Sequence, residues 1–113
     1  MYHILIVEDD EALAEGLCRA LSTDTILAEC RSSIKAARQQ LEKESYSLII
    51  LDVNLPDGNG FDFLKELKAE AGPAVILLTA NDMETDMVTG LELGAEDYIT
   101  KPFSLAVLRA RVN

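Results

Sequence analysis

Apolar residues arrive along this chain in two alternating rhythms. Unbroken aliphatic runs, HILIV at 3–7, LIIL at 48–51 and AVILLT at 74–79, alternate with stretches in which apolar residues return every three or four positions. The first rhythm is that of strands buried on both faces, and the second that of helices with one apolar face. Weaker runs at 25–30 (TILAEC) and 98–100 (YIT) bring the expected strands to five. The helices between them carry Leu13, Leu17 and Leu21, then Ile34, Ala37 and Leu41, then Phe61, Leu64 and Leu67, then Met87, Val88 and Leu91. Asp10 and either Ser32 or Ser33 are the expected N-caps of the first two helices. The third should stop near Gly72-Pro73, and Gly94 is placed to end the fourth. A last helix opens at Ser104 and is cut off at Asn113.

Strict alternation of strand and helix implies an α/β fold, a doubly wound parallel sheet with right-handed crossovers and helices on both faces. At 113 residues the chain fits one domain, spanning 1–113. Ligands of such sheets bind beyond the carboxyl ends of the strands, where the strand order reverses. LIILDVNLPDGNG is therefore informative, because its apolar run ends on Asp52. The other strands deliver Glu8 and Asp9, Thr79, and Lys101 to the same edge. Three carboxylates brought together repel, and a hard divalent cation such as Mg²⁺ relieves the repulsion. A hydroxyl and an ammonium opposite them favour phosphate oxygens. The set reads as a phosphoryl acceptor with Asp52, the lone acid at its strand tip, as nucleophile.

Charge narrows the field. A net charge of −10 and a pI near 4.4 argue against direct binding of nucleic acid, whose phosphates need a basic surface. No apolar run approaches the ~20 residues needed to cross a bilayer, and MYHILIVEDD lacks the features of a secretory signal. The expected setting is cytoplasmic, without membrane contact. Cys18 and Cys30 have no paired spacing and are expected as buried free thiols. His3 has no neighbouring His or Cys, so no metal role is expected for it.

Taken together, ILIVEDD, LIILDVNLPDGNG, VILLTA and GAEDYITKPF resemble, in order and spacing, the response-regulator receiver domain of two-component signalling. The resemblance implies a (βα)5 flavodoxin-like, CheY-like fold with strand order 2-1-3-4-5. It implies phosphorylation of Asp52 by a sensor histidine kinase, with small acyl phosphates able to substitute. Asp9 and Asp52 would ligate Mg²⁺ directly (Mn²⁺ able to substitute), Glu8 through water, and Asn54 through its backbone carbonyl. Thr79 and Lys101 would hold the phosphoryl group, behind a Lys101-Pro102 bond typically cis in this family. Thr79 and Tyr98 would form the switch that reshapes the face of the fourth helix, fifth strand and fifth helix. Asn54 and Asn81 occupy positions that tune dephosphorylation. No enzymatic activity is implied beyond self-phosphorylation from phosphodonors and autodephosphorylation.

The C-terminal stretch is most similar to transcription regulators of the OmpR/PhoB type. That similarity implies a truncated last helix, a DNA-binding domain outside this chain, and homodimerisation on phosphorylation. Glu96, Asp97 and Arg111 match the charged set of that dimer face, whereas Met87 and Val107 replace a basic and an acidic residue. The expected consequence is an apolar contact where relatives have an ion pair. Two alternatives are a stand-alone receiver in a phosphorelay and a phosphatase of the haloacid-dehalogenase kind. The latter needs a second acid where this chain has Asn54.

Overall fold

The computed structural model describes residues 2–69, 72–80 and 83–112. The elements follow in chain order as β1 (Tyr2–Val7), α1 (Glu11–Leu21), β2 (Ile26–Arg31), α2 (Ile34–Lys43), β3 (Leu48–Leu51), β4 (Asn54–Leu55) and β5 (Gly58–Asn59). They continue as α3 (Gly60–Ala69), β6 (Ala74–Thr79), α4 (Glu84–Glu92), β7 (Asp97–Thr100) and α5 (Leu105–Val112). The main sheet is parallel, in the order β2-β1-β3-β6-β7. Apart from the two-residue strands β4 and β5, this is the expected five-stranded order. Those two pair antiparallel across Pro56-Asp57, so LPDGNG forms a short hairpin rather than a plain turn.

Strand parity divides the core. Leu5, Val7, Ile49, Leu51, Val75 and Leu77 pack on one face with Ile34 and Ala37 of α2 and Phe63 and Leu64 of α3. Ile4, Ile6, Leu48, Ile50, Ile76 and Leu78 pack on the other with Leu17 and Leu21 of α1 and Leu108 of α5. Each central strand thus buries both its faces, which is why its sequence does not alternate with polar residues.

Local signals set the helix ends. The Asp10 carboxylate accepts from Leu13 N–H and the Ser33 hydroxyl from Ala36 N–H, resolving the Ser32-or-Ser33 alternative. Gly94, at φ +107°, takes the left-handed conformation that ends α4 without a steric penalty. The Arg109 guanidinium donates to the Ala20 carbonyl at 3.1 and 3.2 Å, tying α5 to the end of α1.

Gly60 is where the chain folds back on itself. A Cβ there would stand 2.4 Å from the Asp52 carbonyl oxygen and 2.7 Å from Val53 Cα. These are backbone atoms and cannot swing aside. Gly60→Ala is expected to destabilise the fold by about 1–3 kcal/mol, read as a lower urea midpoint; an unchanged midpoint would show that the backbone relaxes freely.

The two thiols, far apart in sequence, meet between α1 and β2. Burial first, then a hydrogen bond with the Cys30 thiol, pushes Cys18 up to about 12. Thiolate is the reactive form, so at pH 8 Cys18 should alkylate far more slowly in the native protein than in urea. Equal rates in mass-spectrometric labelling would contradict this.

Candidate functional site

One register row crosses the sheet through Val7, Leu51, Leu77 and Tyr98. Immediately past it, β1 delivers Glu8 and β3 delivers Asp52, one on each side of the point where the strand order reverses. Backbone bonds fix both: Glu8 N–H donates to the Arg31 carbonyl at 3.0 Å, and Asp52 N–H to the Val7 carbonyl at 3.1 Å. Both side chains are buried, while Asp9 is exposed. Since Asp10 caps α1, Asp9 is left to the site.

Lys101 enters from the far side. Its N–H donates to the Thr79 carbonyl at 2.8 Å, which registers the lysine against the end of β6. The Lys101-Pro102 bond is cis, as the resemblance implies. The ammonium donates to Glu8 Oε1 and, at 3.2 Å, to Asp52 Oδ2. Asp52 Oδ1 accepts from Asn54 N–H at 3.1 Å, so both its oxygens are held. Carboxylate oxygens of Glu8, Asp9 and Asp52 lie within 4.8 Å of one another. All are hard oxygen donors, and opposite ligands of an octahedral Mg²⁺ stand about 4.1 Å apart. The cluster fits such an ion.

The electrostatics follow from crowding. Burial raises the Glu8 pKa by more than the hydrogen bonds from Lys101 and Asp10 N–H lower it, and the Asp52 charge raises it further. Burial pulls Lys101 down, but the Glu8 hydrogen bond and the charges of Asp52 and Glu8 outweigh it, so the ammonium titrates above an ordinary lysine. One cation is shared between carboxylates that would otherwise repel.

Thr79 ends β6, fully buried, and the Tyr98 ring lies inward in the core beside Leu77. The absent side chain of Gly90 makes room for it: a Cβ there would stand 2.6 Å from Leu77 Cδ1 and 3.2 Å from Tyr98 Cδ2. Asn81 lies outside the described residues. The remaining candidates sit on the α4–β7–α5 side. Val107 is exposed and Met87 half-buried against the core. Arg111 pairs with Asp97 of its own chain at 2.5 Å. Glu96 turns away from α5 and accepts from Lys68 Nζ on α3 and from Val75 N–H.

Asp57 was legible only as a turn residue, yet its carboxylate accepts from Ile34 N–H at 2.9 Å and Lys35 N–H at 3.0 Å. It caps α2 from a different loop and thereby anchors the β4–β5 hairpin that carries Asn54. The D-G turn signal was visible; the partner helix became evident only once α2 and β3 lay side by side.

The chain belongs to a known class. Residues 4–113 match the response regulator receiver domain family, and the chain is a member of it. It is 43% identical over 111 residues to the transcriptional regulatory protein BasR of Escherichia coli, covering 97% of this chain and 50% of that one. The Francisella response regulator 1452 receiver domain superposes with a TM-score of 0.92 at 30% identity, covering 100% of this chain and 94% of that one. Response regulator DrrB, described as a Thermotoga maritima OmpR/PhoB homolog, gives 0.89 at 30% identity, covering 99% and 51%; its receiver domain is also known in a BeF₃-activated form. The chain spans about half the length of the curated relatives it matches. No helix among the described residues is long and apolar enough to cross a membrane.

Two backbone N–H groups lower the pKa of Asp57, that of Lys35 first and then that of Ile34. A carboxyl depressed on folding stabilises above its unfolded value of 3.8, and the contribution disappears as pH falls through the folded value. Asp57→Ala should therefore lower the urea midpoint at pH 7, and the gap to the parent should close in acid below 3.8. A gap unchanged into strong acid would mean the cap does not act through its charge.

Proposed function

We propose that Asp52 accepts a phosphoryl group from a phosphohistidine of a sensor kinase, and that the domain relays this event to a transcriptional output. The observation that carries the reading is Lys101, whose ammonium bridges Glu8 and Asp52 among three convergent carboxylates. A carboxylate oxygen of Asp52 forms the new bond to phosphorus as the bond to the imidazole nitrogen breaks, and the histidine leaves. Lys101 moves its hydrogen bond from Asp52 to the phosphoryl oxygens, and the Thr79 hydroxyl adds another. Glu8, Asp9, Asp52 and the Asn54 carbonyl would hold Mg²⁺, or Mn²⁺ in its place. That ion supplies positive charge against the phosphoryl oxygens. The buried strands exclude motion of the nucleophile, and the Asn54 N–H fixes its orientation.

The same reading assigns a switch. A phosphoryl group adds nearly two negative charges at a site that favours whichever conformation brings Thr79 to it. Tyr98, inward here, reports that movement to α4 and α5. That surface exposes Val88, Leu91, Leu105 and Val107, an apolar set suited to pairing with a second copy. In the pair Arg111 would exchange its internal partner Asp97 for the one across the interface, and Met87 would meet Val107. DNA would be reached through a C-terminal domain such as the longer relatives have room for.

With Mg²⁺ and a small acyl phosphate, intact-mass spectrometry should show one added phosphoryl group, absent in Asp52→Asn. No adduct at any phosphodonor concentration would sink the reading. Dimerisation of the phosphorylated chain should vary little with salt at the Met87–Val107 contact and weaken in Val107→Lys. Sedimentation that is indifferent to this substitution would remove Val107 from the interface.

A further inference from the structure

The chain's one histidine lies at the other end of β1 from the acidic site. His3, Leu5 and Val7 share the sheet face covered by α2, and Glu29, paired with Leu5 on β2, shares it too. Glu44, the C-cap residue of α2, closes over the same spot. His3 Nε2 contacts Glu29 Oε1, while its Nδ1 stands 3.4 Å from Glu44 Oε2. The three residues offer ligand atoms within 4.8 Å of one another. Tyr46 backs the imidazole, with ring centroids 4.2 Å apart, and its hydroxyl reaches Glu29 Oε1 at 3.5 Å.

A neutral imidazole has one N–H and one lone pair. With a carboxylate oxygen against each nitrogen, one contact in the neutral form sets lone pair against lone pair. A metal on one nitrogen removes that conflict, and the nearby Arg31 guanidinium lies against the other oxygen of Glu29, Oε2, at 3.8 Å. The two contacts differ in kind. Nε2 and Glu29 are in hydrogen-bond contact, whereas the Nδ1 gap of 3.4 Å exceeds the ordinary N–H···O range of about 2.7–3.2 Å. It does match the nitrogen–oxygen edge of a tetrahedral zinc centre, about 3.3–3.5 Å for bonds of about 2.0–2.2 Å. A histidine that ligates a metal through one nitrogen commonly donates the other N–H to a carboxylate, which fixes tautomer and orientation.

We propose that His3 Nδ1 and the Glu44 carboxylate bind Zn²⁺, with Glu29 accepting the Nε2–H and positioning the ring. Imidazole with carboxylate selects a borderline cation, whereas the all-oxygen cluster of Glu8, Asp9 and Asp52 selects a hard one. The domain thus carries two cation sites of different chemistry at opposite ends of β1. Water completes the zinc coordination, since Glu44 is exposed. Occupancy would pin the start of β1 and the middle of β2 to the end of α2. This proposal does not depend on the phosphoryl chemistry above.

A single histidine makes the test direct. Untagged, metal-free ¹⁵N-labelled chain, with Mg²⁺ saturating the acidic cluster, is titrated with ZnCl₂ while the imidazole nitrogens are followed by long-range ¹H–¹⁵N correlation. The expected result is a saturable shift in which Nδ1 becomes the metal-bound nitrogen. Glu29→Gln should weaken zinc affinity about 10- to 100-fold. Glu44→Gln, at an exposed position, should abolish the Nδ1 shift while the backbone spectrum shows the fold intact. An imidazole that does not respond while amides near Glu8 and Asp9 do would overturn the proposal. So would an imidazole response of equal strength in Glu44→Gln.

Discussion

The domain depends on how a single ammonium resolves a conflict built into its sheet. Two neighbouring parallel strands end on carboxylates, and the register that buries Val7 and Leu51 side by side leaves Glu8 and Asp52 side by side as well. Their repulsion is the cost of an otherwise apolar arrangement. Lys101 offsets it from the far edge of the sheet, registered by a backbone bond to Thr79. An ion pair that is half shielded from water is sensitive to any new charge placed within it. Even if a competing anion drew its ammonium away, Lys101 would stay registered to the end of β6 through its bond to the Thr79 carbonyl.

Much of this was legible in order along the chain. The aliphatic runs located the central strands, since only burial on both faces selects for four to six apolar residues in succession. Asp10, the Ser32-Ser33 pair and Gly94 announced helix ends because capping is a local matter, decided within one turn. The carboxyl-edge set, Glu8, Asp9, Asp52, Thr79 and Lys101, was legible for a topological reason: in a parallel sheet every strand ends on the same edge.

What escaped were contacts between residues whose neighbourhood depends on sheet order. Asp57 reads as a turn residue until α2 is laid beside the β3–α3 connection, when it becomes the cap of a helix more than twenty positions earlier in the chain. Glu96 matched a charged surface position, yet register brings it to Lys68 and the Val75 N–H. Cys18 and Cys30 seemed unrelated until α1 packed on β2. His3 appeared isolated because its partners are acids contributed by β2 and the end of α2, a combination no local spacing advertises. The β4–β5 hairpin is two residues per strand, below any periodicity that could be read.

Among the described residues, α4 has a single buried member, and that member is Gly90. Helices are held to a sheet by the apolar side chains they bury, and a glycine contributes close fit but almost no area. α4 is therefore a lightly moored element on a rigid deck. Its position is decided by small differences in free energy, and it follows directly from the carboxyl end of β6, where Thr79 and the acidic cluster lie. A firmly buried helix there would make a more stable protein and a less adjustable one.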